Sequence, residues 1–126
     1  MLCVVTLFIH SCSGDSPEEM VGPVEDISFA DQVQVIFNQS CGGAGCHVSS
    51  SQSGVNLSTY DDVMNSVGEQ YNREIVDPGN PDESPLVDKI EPAPEHGQRM
   101  PFDRDPLSEQ QIRVIRTWIE EGALDN

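Results

Sequence analysis

Positive charge is what this chain has least of: 6 Lys and Arg stand against 22 Asp and Glu, a formal net charge of -16 at pH 7. That balance argues against a nucleic-acid ligand, because a phosphate backbone would be repelled rather than neutralised. It argues equally against docking on anionic lipid through a basic face. A basic protein partner, steered at low salt, remains compatible. Aromatic residues are scarce too, at 6%, and 126 residues bound the chain to one domain with a modest core. No internal repeat stands out. No stretch sustains the apolar–polar alternation of a strand, which removes sheet-based architectures from consideration. The apolar run at the start, Met1 to Ile9, falls short of the roughly 20 residues needed to span a bilayer.

That run instead reads as the hydrophobic part of a secretory signal. No Lys or Arg precedes it, so the basic segment of such a signal is missing, and a start a few residues upstream is expected. His10-Ser11-Cys12-Ser13 follows. An apolar run, a small residue and then Cys resembles the bacterial lipoprotein cleavage site, although His10 is unusual there. The resemblance implies a signal peptide over residues 1–11, diacylation of Cys12, and loss of Cys3 with the signal. An ordinary signal or an uncleaved anchor is the alternative. Ser13 to Glu25 is rich in Pro, Gly and acids and reads as a flexible tether. The division expected is a signal over 1–11, a lipid-anchored tether over 12–25 and a folded domain over 26–126.

Within that domain the periodicity is helical. Phe29, Val33, Ile36 and Phe37 recur at helical spacing, with Ser28 as a candidate cap, and predict a helix over about 31–39. Thr59 to Val67 predicts a second, short helix with Val63, Met64 and Val67 on one face. Asp77 to Pro85 contains three prolines and is expected to lack regular structure. Leu86 to Ile90 predicts one or two helical turns, and Glu91 to Pro106 a Pro-rich loop. Ser108 and Gln111 form a capping box for a last helix, with Ile112, Ile115 and Ile119 along one face, flanked by Val114 and Trp118. Gly122 is its natural stop. The expected class is mostly α, with long ordered loops of the kind that wrap a ligand or carry function.

The chemistry concentrates in Cys41-Gly-Gly-Ala-Gly-Cys46-His47. A Cys-His pair after an upstream Cys is the sign of c-type haem attachment. Two thiols add across the two haem vinyl groups, and the following His is placed under the iron. Two residues usually separate the cysteines. Here there are four, three of them Gly and one Ala, which lets the intervening chain bulge and adopt unusual φ without a bulky side chain in the way. A Cys41–Cys46 disulfide, tolerated in an exported protein, and a zinc site including His47 are the competing readings.

The order of elements adds weight to the haem reading. An amphipathic helix precedes the cysteines, Gln98-Arg99-Met100-Pro101 follows far downstream, and a helix containing Trp118-Ile119 closes the chain. This arrangement resembles small bacterial class I cytochromes c, and most of all the planctomycete-type cytochrome c domain. Pro78-Gly-Asn-Pro-Asp-Glu-Ser-Pro-Leu86 and Trp118-Ile-Glu-Glu-Gly-Ala123 are similar to that family's loop and C-terminal motifs, so the likeness runs over about 29–123. It implies a small cytochrome c-like fold of a few helices and long loops around one covalent haem c. Cys41 and Cys46 would carry the thioethers, His47 would be one axial ligand and Met100 the other. His96 and Met64 are rival sixth ligands. Arg99 and Arg104 are candidates for the haem carboxylates, and Trp118 is a core residue rather than a redox relay. With both axial positions filled there is no open position for a substrate. The expected role is therefore a membrane-tethered single-electron carrier serving protein partners with a basic docking patch, not an enzyme. It would sit in the cell envelope, on the periplasmic side or the outer surface. The alternatives are a disulfide-stabilised, non-haem binding or structural lipoprotein, and a haem sensor or peroxidase with a weak sixth ligand.

Overall fold

The apolar positions that recur at helical spacing before the cysteines are all buried in the computed structural model, which describes residues 24–126. The signal over 1–11, Cys12 and all but the last two residues of the tether lie outside the described residues. The first helix, α1, runs without a break over 29–41 as π-helical Phe29–Val33, α-helical Gln34–Ile36 and π-helical Phe37–Cys41. Ser28 caps it: its Oγ accepts from the Asp31 amide at 3.2 Å, while Gln32 Oε1 accepts from the Ser28 amide at 2.9 Å. Each bond satisfies an amide near the start of the helix that would otherwise lack a partner.

The remaining helices are α2 (Tyr60–Asn65), α3 (Pro85–Ile90) and α4 (Glu109–Glu120). An antiparallel pair of two-residue strands, β1 (Val67–Gly68) and β2 (Arg73–Glu74), lies between α2 and α3. Helix and loop therefore dominate the described residues, as the sequence implies.

Two of the sequence expectations need correction. Thr59 is the N-cap of α2 and not its first residue; its Oγ1 accepts from the Asp62 amide. The helix also stops before Val67, because Ser66 turns to an extended backbone and its buried hydroxyl donates to the Asp62 carbonyl at 2.7 Å. Val67 consequently leaves the face of Val63 and is exposed in β1. The Pro-rich stretch 77–85, expected to be irregular, holds a single 3-10 turn at Pro81–Glu83. Pro81 stands where its missing amide costs nothing. The buried Ser84 closes this loop, accepting from the Asp77 amide at 2.9 Å and donating to the Asn80 carbonyl at 3.0 Å.

α4 is built as its sequence dictates. Both bonds of the Ser108–Gln111 capping box are present, at 3.2 and 2.9 Å. The helix ends with Ala123 N–H on the Trp118 carbonyl and Gly122 N–H on that of Ile119, with Gly122 at φ +104°. This pair of bonds is the Schellman ending that favours glycine. Val114, Ile115, Trp118 and Ile119 are buried. They meet α1 in the core, where Phe29 lies 5.3 Å from the Trp118 ring and 5.2 Å from Tyr60. Phe37 joins this group 6.4 Å from Phe29. The few aromatics of the chain are thus spent mainly on one cluster that joins α1, α2 and α4. The α1–α4 pair leaves the loops between them to enclose a separate space.

Candidate functional site

α1 ends at Cys41, where the backbone becomes extended at Gly42. The following turn is closed by Cys46 N–H on the Gly43 carbonyl and His47 N–H on that of Cys41, both at 3.1 Å. These bonds fold the four-residue spacer back on itself, so the wide spacing still delivers both cysteines and His47 to one wall. Gly43 has φ +131°, and a Cβ there would fall 2.6 Å from a guanidinium nitrogen of Arg104. The glycine therefore admits the turn and lets Arg104 lie across it.

A pocket of about 420 Å³ opens beside this turn, within the range usual for small-molecule and cofactor sites. Cys41, Cys46, His47 and Met100 all line it. Apolar side chains, among them Leu57, Ile75, Leu86 and Ile90, supply walls. Arg104 and Lys89 bring two positive charges to a chain that has few, against the single carboxylate of Glu69. Such a pocket suits a large, mostly apolar group that carries some negative charge.

The orientation of His47 is fixed by one contact. Its Nδ1 lies 3.1 Å from the Val55 carbonyl oxygen. A carbonyl can only accept, so Nδ1 carries the hydrogen and the neutral ring presents the lone pair of Nε2. This is the arrangement that prepares a histidine to bind a metal through Nε2. Cys41 and Cys46 are both free thiols and half-buried. Burial pushes the Cys41 thiol up to about 11; the Arg104 guanidinium pulls it back in part, and Cys46 adds a smaller push upward. Buried thiols of this kind are held protonated and are poor metal ligands in that state. Among the described residues no group of three or more His, Cys, Asp or Glu is placed to hold a metal ion, so the zinc reading finds no ligand set there.

The rivals of Met100 lie elsewhere. His96 stacks edge-on against Tyr71 at 4.8 Å, near Glu95, and is not part of the pocket wall. Met64 packs against the core. The two arginines also part company: Arg104 lines the pocket, whereas Arg99 donates from Nε to the Ile90 carbonyl at 2.9 Å. Sequence reasoning misses many of the other lining residues, Tyr71, Lys89 and Phe102 among them. Phe102 was the most accessible to such reasoning, as a lone aromatic in a polar loop one residue beyond Met-Pro. It is 62% exposed.

Two cysteines, a histidine and a methionine on one largely apolar pocket are residue types that c-type haem proteins use to hold haem and its iron. Residues 44–102 match the family described as Planctomycete cytochrome C, a match that supports a cytochrome c domain of that planctomycete type. A domain of that family suggests haem binding and electron transfer and implies covalent haem. The matched segment contains Cys46, His47 and Met100; Cys41, all of α1 and all of α4 lie outside it. No curated protein and no solved structure matches the chain.

Proposed function

We propose that the protein is a single-electron carrier built around one haem c, with thioether bonds from Cys41 and Cys46 and with His47 and Met100 as axial ligands. The observation that carries this reading is the convergence of those four side chains, from two separate parts of the chain, on one pocket. When bound, the haem supplies a reversible one-electron change at its iron. The chain's part is to hold and tune it. The Val55 carbonyl fixes the orientation of the His47 ring, as hydrogen-bond partners of metal-binding histidines do. Met100 offers a thioether, which favours the reduced state relative to a second histidine. Apolar walls restrict water, and Arg104 on the pocket lining offers a guanidinium that suits a haem carboxylate. With two protein ligands on the iron, the role is transfer of electrons and not turnover of a substrate.

In this reading the domain is exported and held to a membrane through a lipid on Cys12. It would face the periplasm or the outer surface and exchange electrons with partners carrying a basic patch, the acidic chain steering their approach. The test is a potentiometric titration of the holoprotein with carbon monoxide added afterwards. A single one-electron wave, and a reduced form slow to bind carbon monoxide, are expected. Rapid, complete binding would indicate an open iron and a sensor or peroxidase instead.

A further inference from the structure

Met100 sits in the loop between α3 and α4, which has no regular structure of its own. A ligand on such a loop is only as well placed as the contacts that hold the loop. Those contacts come from three consecutive residues at the end of α3. The Asp88 carboxylate accepts from the Glu95 amide at 3.0 Å and from the Tyr71 hydroxyl. Lys89 Nζ donates to the carbonyls of His96 at 2.7 Å and Gln98 at 2.9 Å. The Lys89 carbonyl accepts from the Met100 amide itself at 2.7 Å. The Ile90 carbonyl accepts from Arg99 Nε. Residues 95, 96, 98, 99 and 100 are therefore all fastened to one helical turn.

The fit around Lys89 is close. Gly97 lies between its two carbonyl acceptors with φ +66°, and a Cβ there would fall 2.8 Å from Gln70 Oε1 and 3.2 Å from Lys89 Nζ. A larger residue would be strained by that backbone angle and would crowd the Gln70 amide and the ammonium group. Lys89 also lines the pocket. An ammonium that donates to two backbone carbonyls makes stronger bonds than neutral donors would.

We propose that Lys89 is a positioning residue for the sixth iron ligand: its ammonium and its carbonyl together latch the 95–100 loop so that Met100 stays in the pocket. Lys89 does not touch the iron; it acts through Met100. The proposal rests on the reading of Met100 as a ligand, and the test separates the two.

The experiment compares holoprotein of the parent, K89M, G97A and M100A for three properties: reduction potential, carbon monoxide binding by the reduced form, and hydrogen exchange over residues 95–100. K89M keeps the apolar stem and removes the donors. M100A sets the scale for a fully open iron. K89M is expected to bind carbon monoxide at least about tenfold faster than the parent, the size of effect that loss of charged hydrogen bonds produces. Its potential should move toward that of M100A. Exchange should rise over 95–100 but not in α4, and covalent haem should be unchanged. Carbon monoxide binding and potential in K89M equal to the parent, with M100A open, would overturn the latch and leave Met100 as ligand. An M100A protein identical to the parent would overturn both. If K89M yields no holoprotein, G97A, which disturbs the same contact without altering charge, is read by the same criteria.

Discussion

Two residues of the pocket behave in ways that can be measured one at a time. Met100→His should keep six-coordination and lower the reduction potential, because imidazole favours the oxidised iron more than a thioether does. Potentiometry with visible spectra checks it, and an unchanged potential would remove Met100 from the iron. Cys41 makes a different prediction for the haem-free protein. Its thiol titrates at about 11 when folded, against an ordinary cysteine value of 9.0. Between these values the folded chain keeps a proton that the unfolded chain has lost, so stability falls as pH rises through the window. Two pH units correspond to a loss of about 2–3 kcal/mol. Urea unfolding of the haem-free protein at pH 8 and pH 11 should show this loss, and haem-free C41A should lack that part of it. Equal pH dependence in the two would contradict the burial of Cys41. The grouping of Cys41, Cys46 and His47 on the pocket wall was readable because Cys-His adjacency is a local signal. Lys89, Asp88 and Tyr71 were not, because their contacts join residues 7 to 17 positions apart and follow from how the loop returns to α3.

Among the elements, α1 and α4 were the most legible. Their apolar spacing, the Ser108–Gln111 box and Gly122 are rules of local sequence, and all are met in the structure. α2 was only partly legible, since its end at Ser66 depends on the hydroxyl bonding back into the helix and to Asn56, which no periodicity announces. The 3-10 turn at Pro81–Glu83 was hidden for a similar reason: Ser84, buried at its end, organises the loop through tertiary burial and not through propensity. The α1–α4 junction should be the main source of stability. Trp118 is fully buried, and its indole N–H donates to the Leu124 carbonyl at 2.9 Å. Trp118→Ala removes that ring from the aromatic cluster and should cost about 3–5 kcal/mol in chemical denaturation. A cost below about 0.5 kcal/mol would contradict the packing described for these two helices.

On the scale of the whole molecule, the described chain begins on a different part of the surface from the pocket. Glu121 of the α4 end accepts from the amides of Asp26 and Ile27 at 2.6 and 2.9 Å. Within the described residues, none before Ser40 lines the pocket. Cys12 lies outside the described residues, and the anchor proposed there is tested by substitution. Cys12→Ser should move the protein from the membrane to the soluble fraction with an unchanged spectrum, because stable attachment takes more than one acyl chain and loss of the modified thiol removes the site. A Cys12→Ser protein still in membranes would rule out the lipid anchor and leave the haem reading intact. The central claim, covalent haem on Cys41 and Cys46, is tested most directly by denaturing electrophoresis with haem staining, on protein made in a host that attaches haem c. The account predicts a stained band for the parent and none for the C41A/C46A double variant. An unstained parent with Cys41 and Cys46 joined as a disulfide would contradict it.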